Sequence, residues 1–126
     1  MIINPVLLKD KMENCIFCKI VRGEIPSERL FESENFIVIR DISPKTAGHS
    51  LVIPKEHYKT ILDIPSYLNK EFLESVKSVS LKLMDENSSK GFNLVMNNGE
   101  IAGQVVMHAH LHILPRKEGD SFRMGV

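Results

Sequence analysis

The sequence predicts an α+β domain: an antiparallel sheet with one long helix on a face, and one short helix besides. Three observations predict it. Short strand-like runs recur between turn-forming clusters. One long stretch carries apolar residues at spacings of three and four, the period of a helix with one buried face. Near the C-terminus His108, His110 and His112 alternate strictly with Ala109, Leu111 and Ile113, the period of a half-buried strand.

In chain order, residues 1–13 show no amphipathic pattern and read as an extension, which leaves the domain to residues 14–126. Cys15 to Val21 reads as a short helix with Ile16, Phe17 and Ile20 as its apolar positions, ended by Arg22 and Gly23. Arg29 to Glu32 and Phe36 to Arg40 read as strands of a hairpin around Ser33-Glu34-Asn35. Ser43 to Gly48 is a loop by composition. A third strand spans Ser50 to Ile53 and is closed by Pro54.

The long helix is expected from roughly Pro65 to Glu86, with Asp63 or Ser66 as cap and Leu68, Phe72, Val76, Val79 and Leu83 facing the sheet. A fourth strand is expected over Phe92 to Met96. A fifth runs from Met107 to Leu114 and stops at Pro115, which has no N–H to give a ladder. There is no internal repeat, low-complexity tract or linker.

A chain of 126 residues suggests one domain with a useful core. With 43% hydrophobic and 25% charged residues it has an ordinary globular composition. A formal net charge of zero gives no electrostatic footprint for a nucleic-acid polymer, although a small nucleotide needs only local donors. No run approaches the roughly 18 apolar residues of a membrane span, and the start lacks the basic leader and apolar core of a signal peptide. A cytosolic or nuclear location is therefore expected. There a Cys15-x-x-Cys18 pair points to metal or redox chemistry rather than a structural disulfide.

On a strand the three imidazoles share one face, about 6.6 Å apart per step. That pattern admits three readings: surface histidines of an edge strand, a catalytic metal on all three rings, or an imidazole that attacks phosphorus while its neighbours fix its tautomer and bind oxygens.

The arrangement His108-x-His110-x-His112-Ile113-Leu114, preceded by Gly103-Gln104, resembles the histidine-triad nucleotide-binding family. The resemblance extends back to Cys15 through Ile16-Phe17-Cys18-Lys19-Ile20, Asp41-Ile42-Ser43-Pro44, Gly48-His49 and Leu51-Val52-Ile53-Pro54-Lys55. It implies a five-stranded sheet and a homodimer whose sheets join. It also implies hydrolysis or transfer at the α-phosphorus of substituted purine nucleoside monophosphates, such as phosphoramidates or dinucleoside polyphosphates, through a nucleotidyl-histidine.

By this resemblance His110 is the nucleophile, and His112 holds a phosphate oxygen or helps protonate the leaving group. Gln104 donates to the same oxygens, and His49 orients its neighbours, unless it is a packed strand-start histidine. Asp41 accepts the ribose hydroxyls, or else is a turn aspartate. Phe17, Ile20 and Ile42 wall the base, or else are plain core. Asn97 and Gly103 line the phosphate and ribose.

Val105 stands where the family usually has a serine or threonine, so a hydroxyl near the leaving group is lost; a nucleotide-binding adaptor with little catalysis is the alternative this favours. Cys15, Cys18, His57 and His108 match the structural zinc set of a bacterial-type branch, the alternative being two reduced cysteines without metal.

Overall fold

A computed structural model of the chain describes residues 13–125. The extension expected over residues 1–13 therefore lies, all but Glu13, outside the described residues. Five antiparallel strands form one sheet: β1 (Arg29–Glu32), β2 (Phe36–Arg40), β3 (Ser50–Pro54), β4 (Gly91–Val95) and β5 (Leu111–Arg116), in the order β1-β2-β3-β5-β4. Helix α1 (Ile16–Val21) covers one face and α2 (Asn69–Glu86) the other. Among the described residues no helix is long and apolar enough to cross a membrane.

Because both faces are covered, the central strands read as continuous apolar runs. In Phe36-Ile37-Val38-Ile39, Phe36 and Val38 pack under α2 with Val52, Val76, Val79 and Leu83. Ile37 and Ile39 pack toward α1 with Leu51, Ile53, Phe17 and Ile20. The carboxylate of Glu71 on α2 ties down the β1–β2 turn, accepting from Ser33 Oγ at 2.6 Å and from the Asn35 main-chain N–H at 2.7 Å.

Several element ends shift, β4 by one residue to Gly91–Val95. The long helix does not start at Pro65: an intervening 3₁₀ turn spans Ser66–Leu68, and Leu68 precedes Asn69 without a side-chain cap. Asp63 instead closes a capping box with Thr60 around the 3₁₀ turn Ile61–Asp63. Strand β5 begins at Leu111 rather than Met107, because β3 ends at Pro54 and the N–H of Ala109 donates to Tyr58 O at 2.7 Å. It also runs through Pro115 to Arg116. The β3 ladder stops at Ser50 opposite Ile113, so the missing N–H of Pro115 costs no bond on that side.

Candidate active site

The alternation at the C-terminus survives the shorter strand. Ala109, Leu111 and Ile113 join the core under α2, and the three imidazoles turn to the α1 side, where Phe17 lies 5.9 Å from the ring of His108 and 4.9 Å from that of His110. The rings then diverge in function, because each meets a different partner.

His108 is fully buried. Its Nε2 lies 2.8 Å from the carbonyl oxygen of Pro54. A carbonyl only accepts, so Nε2 carries the proton and Nδ1 keeps its lone pair. That Nδ1 faces Cys15 Sγ at 3.3 Å and Cys18 Sγ at 3.5 Å, and Cys18 Sγ faces His57 Nδ1 at 3.3 Å. The four donors lie within 4.8 Å of one another and can hold a metal ion. A tetrahedral ion with bonds of about 2.0–2.3 Å needs donors roughly 3.3–3.8 Å apart, a range that these three separations fall within. A donor imidazole anchored by its far N–H on a carbonyl is the usual support for such a ligand. Burial and the neighbouring Cys15 push the Cys18 thiol up to about 12, so without a cation that sulfur stays protonated in this apolar corner.

His110 points into a cavity of about 930 Å³. Its Nδ1 lies 2.7 Å from the carbonyl oxygen of His108, so Nδ1 carries the proton. Nε2 is left with a lone pair and no partner among the described residues. Burial lowers its basicity, so the ring is neutral at neutral pH.

His49 and His112 form a chain fixed from one end. The main-chain N–H of Lys45 donates to His49 Nδ1 at 3.0 Å. His49 is therefore protonated on Nε2, which lies 2.9 Å from His112 Nδ1. His112 in turn carries its proton on Nε2. Burial, then His110 and His49, depress His112 to about 4, so it is a neutral donor.

Asp41 Oδ2 lies 3.5 Å from His49 Nε2. Asp41, His49 and His112 also cluster within 4.8 Å, but a cation on His49 Nε2 would move its proton to Nδ1, against the Lys45 N–H. The three triad imidazoles do not converge on one ion: His108 groups with the cysteines and His57, His112 with Asp41 and His49.

His49 is placed by Gly48, whose φ of +87° suits glycine and whose position would bring a Cβ to 2.5 Å from Asn87 Nδ2.

Around the cavity stand Phe17, Ile20, Asp41, Ile42, His49, Asn97, Gly103, Val105, His110 and His112, ten of the residues expected there. Phe17 and Ile20 are buried walls, while Ile42 and Val105 are 95% and 87% exposed and flank its mouth. Asp41 Oδ1 accepts from the Ser43 N–H at 2.8 Å, an Asx turn that aims the carboxylate.

Gln104 departs from the expectation. It does not line the cavity. Its Nε2 donates to Lys59 O at 2.7 Å and Val106 O at 3.0 Å, and its Oε1 accepts from the Gly99 N–H at 2.7 Å. Both amide protons are engaged within the loop.

Phe122 and Met124 also line the cavity, and sequence reasoning missed them. Arg116 holds this tail. Its Nε and Nη2 grip Asp120 at 2.7 and 3.0 Å, Nη1 donates to Asn93 Oδ1 at 2.9 Å, and Nη2 also donates to Phe122 O. The Arg116–Asp120 spacing and the Phe122-x-Met124 alternation were the available signals.

Residues 22–119 match the family described as the HIT domain. The chain is 45% identical over 111 residues to the protein named Protein hit of Bacillus subtilis, covering 87% of this chain and 77% of that one. It is 41% identical over 113 residues to adenosine 5'-monophosphoramidase hnt1 of Schizosaccharomyces pombe, covering 90% and 81%. The crystal structure of a HIT family member from Bacillus subtilis superposes with a TM-score of 0.85 at 42% identity, covering 90% of this chain and 80% of that one.

Proposed function

The chain belongs to the HIT domain family, and from that premise we propose that it is a nucleotide hydrolase or transferase acting at the α-phosphorus of a substituted purine nucleoside monophosphate through a nucleotidyl-histidine on His110. The observation that carries this is the free lone pair of His110 Nε2, held toward a nucleotide-sized cavity by the carbonyl of its own neighbour.

In the first step the Nε2 lone pair forms an N–P bond. The bond from phosphorus to the substituent breaks, and the leaving group departs with its electron pair and takes a proton from water. In the second step water attacks phosphorus, its proton passes to solvent and replaces the one the leaving group took, and the N–P electron pair returns to His110. The nucleoside monophosphate then leaves.

Neutral His112 is a weak acid, so its role is to donate Nε2–H to a non-bridging oxygen and stabilise charge as it develops. His49 orients it. Asp41 Oδ2 accepts ribose hydroxyls; Phe17 and Ile20 hold the base, with Ile42 at the rim; Asn97, Gly103 and Val105 border the phosphate. Gln104 is reassigned from donor to loop support.

The relative named a phosphoramidase favours a nitrogen leaving group. Dinucleoside polyphosphates belong in the same substrate panel. Cys15, Cys18, His57 and His108 would hold a structural zinc, which when bound would cross-link the start of α1 to the triad segment. A homodimer is supported by β4, an edge strand that exposes Phe92 and Leu94.

The test is incubation with adenosine phosphoramidates and dinucleoside polyphosphates, scoring nucleoside monophosphate released and an adenylyl adduct by intact mass. His110→Ala is expected to abolish both while still binding nucleoside monophosphate; turnover retained in that variant overturns the role. The adaptor reading is favoured by one observation: neither Val105 nor Gln104 offers a donor near the leaving group. Tight binding with no adduct and no product would support it.

A further inference from the structure

We propose that the main-chain N–H of Lys45 is a positioning group that, acting through His49, fixes the proton of His112 on Nε2 and so makes that ring a donor for a phosphoryl oxygen. This deepens the reading of the same cavity and rests on it for the identity of the ligand.

A peptide N–H donates and never accepts. At 3.0 Å from His49 Nδ1 it requires a lone pair there, and a neutral imidazole has one lone pair and one N–H. His49 Nε2 must then carry the proton, and among the described residues its acceptor of good length is His112 Nδ1, at 2.9 Å. His112 Nδ1 thus accepts, and the His112 proton stands on Nε2. The carboxylate of Asp41, at 3.5 Å from His49 Nε2, is too far to take that hydrogen bond away.

Without the Lys45 N–H, both rings can invert together. His49 then carries its proton on Nδ1 and accepts with Nε2 from His112 Nδ1–H, so the His49–His112 contact survives. His112 instead turns a lone pair toward the cavity. A lone pair against a phosphoryl oxygen replaces a donor with a repulsion, while His110 keeps its own tautomer through the carbonyl of His108. The two cavity imidazoles are thus set independently and oppositely: His110 as a lone pair by an acceptor, His112 as a donor by a distant N–H.

The loop is built to keep that N–H in place. His49 N–H donates to Thr46 O at 3.1 Å and Asp41 N–H to His49 O at 3.0 Å, and the Asp41 carboxylate holds the start of the loop at Ser43. His49 is 3% exposed, so water does not compete for its Nδ1.

The test starts with ligand-free protein, in which nitrogen NMR of the imidazoles reads each tautomer. His49 and His112 are both expected to be protonated on Nε2. Finding His112 protonated on Nδ1, or as a mixture, overturns the proposal whether or not the variants below fold.

Lys45→Pro deletes the N–H, and Lys45→Ala keeps it while also removing the ammonium. Relative to Lys45→Ala, Lys45→Pro is expected to mix the His112 tautomers and to lower kcat about ten- to a hundredfold, the worth of a hydrogen bond to a charged group. It should weaken adenosine 5'-monophosphate binding and leave adenosine binding unchanged. Equal kcat and an unchanged His112 tautomer in the two variants overturn the proposal. Failure of the functional reading looks different: wild-type protein would show the predicted tautomers yet form no adenylyl adduct.

Discussion

The carbonyl oxygen of His108 accepts the Nδ1–H of His110 at 2.7 Å, so the residue whose ring faces the two cysteines also sets, through its backbone, the tautomer of the cavity imidazole. The metal set and the reactive ring therefore share one peptide unit. The Cys15→Ser, Cys18→Ser double variant is expected to lose bound zinc and to melt about 10 °C lower, since a structural ion contributes several kcal/mol and each is worth about 3–6 °C in a domain of this size. Metal analysis and thermal denaturation check it. Full zinc occupancy after both thiols are gone would remove the assignment.

Gln104 is expected to behave as a stabilising residue. Gln104→Ala strands the Gly99 N–H and two carbonyl oxygens, and stability should fall by about 1–3 kcal/mol. KM for nucleotide should move less than about twofold, because the side chain does not reach the cavity. A large KM change at unchanged melting temperature would restore it as a phosphate contact.

How much was legible beforehand differs from element to element. Strands β1 and β2 lie where the pattern put them, because a hairpin is a local structure with its turn residues in sequence. The histidine face was legible because alternation persists beyond the ladder itself. The ends of β5 were not, since they depend on Tyr58, Pro54 and the end of the β3 ladder. The hydrogen bonding of Gln104 was hidden for the same reason: its residue type suits a phosphate, but its partner Lys59 lies 45 positions away in the chain. Phe122 and Met124 follow the last strand, with no repeat long enough to announce a wall.

Stability should depend on pH through His112. Its pKa is about 4 in the fold and 6.5 as the ordinary value, with burial the main cause and His110, His49 and Asp41 the groups facing it. Between those values the unfolded chain binds more protons, so stability rises with pH across that window, by up to about 1.4 kcal/mol per unit for this group, and levels off above it. His112→Asn should remove one proton's worth of that slope. Denaturant titrations from pH 4 to 7.5 read it, and parallel curves for the two proteins would show that His112 does not titrate in this range.

Arg116 should govern how the cavity closes at its C-terminal wall. Its guanidinium makes four hydrogen bonds, to Asp120, Asn93 and the Phe122 carbonyl, and lies 5.2 Å from the centre of the Phe122 ring. That geometry needs a planar fork, so Arg116→Lys cannot reproduce it. Both Arg116→Ala and Arg116→Lys should release Phe122 and Met124 and raise KM for nucleotide about three- to tenfold, as expected for a lost apolar contact. Because the wall touches no reacting atom, kcat should change by less than about twofold. Phe122→Ala should give the same KM with the clamp intact, which separates loss of the wall from general loosening. Steady-state kinetics on the three variants decide it: an unchanged KM in Phe122→Ala means the tail lies beside the cavity without shaping what enters.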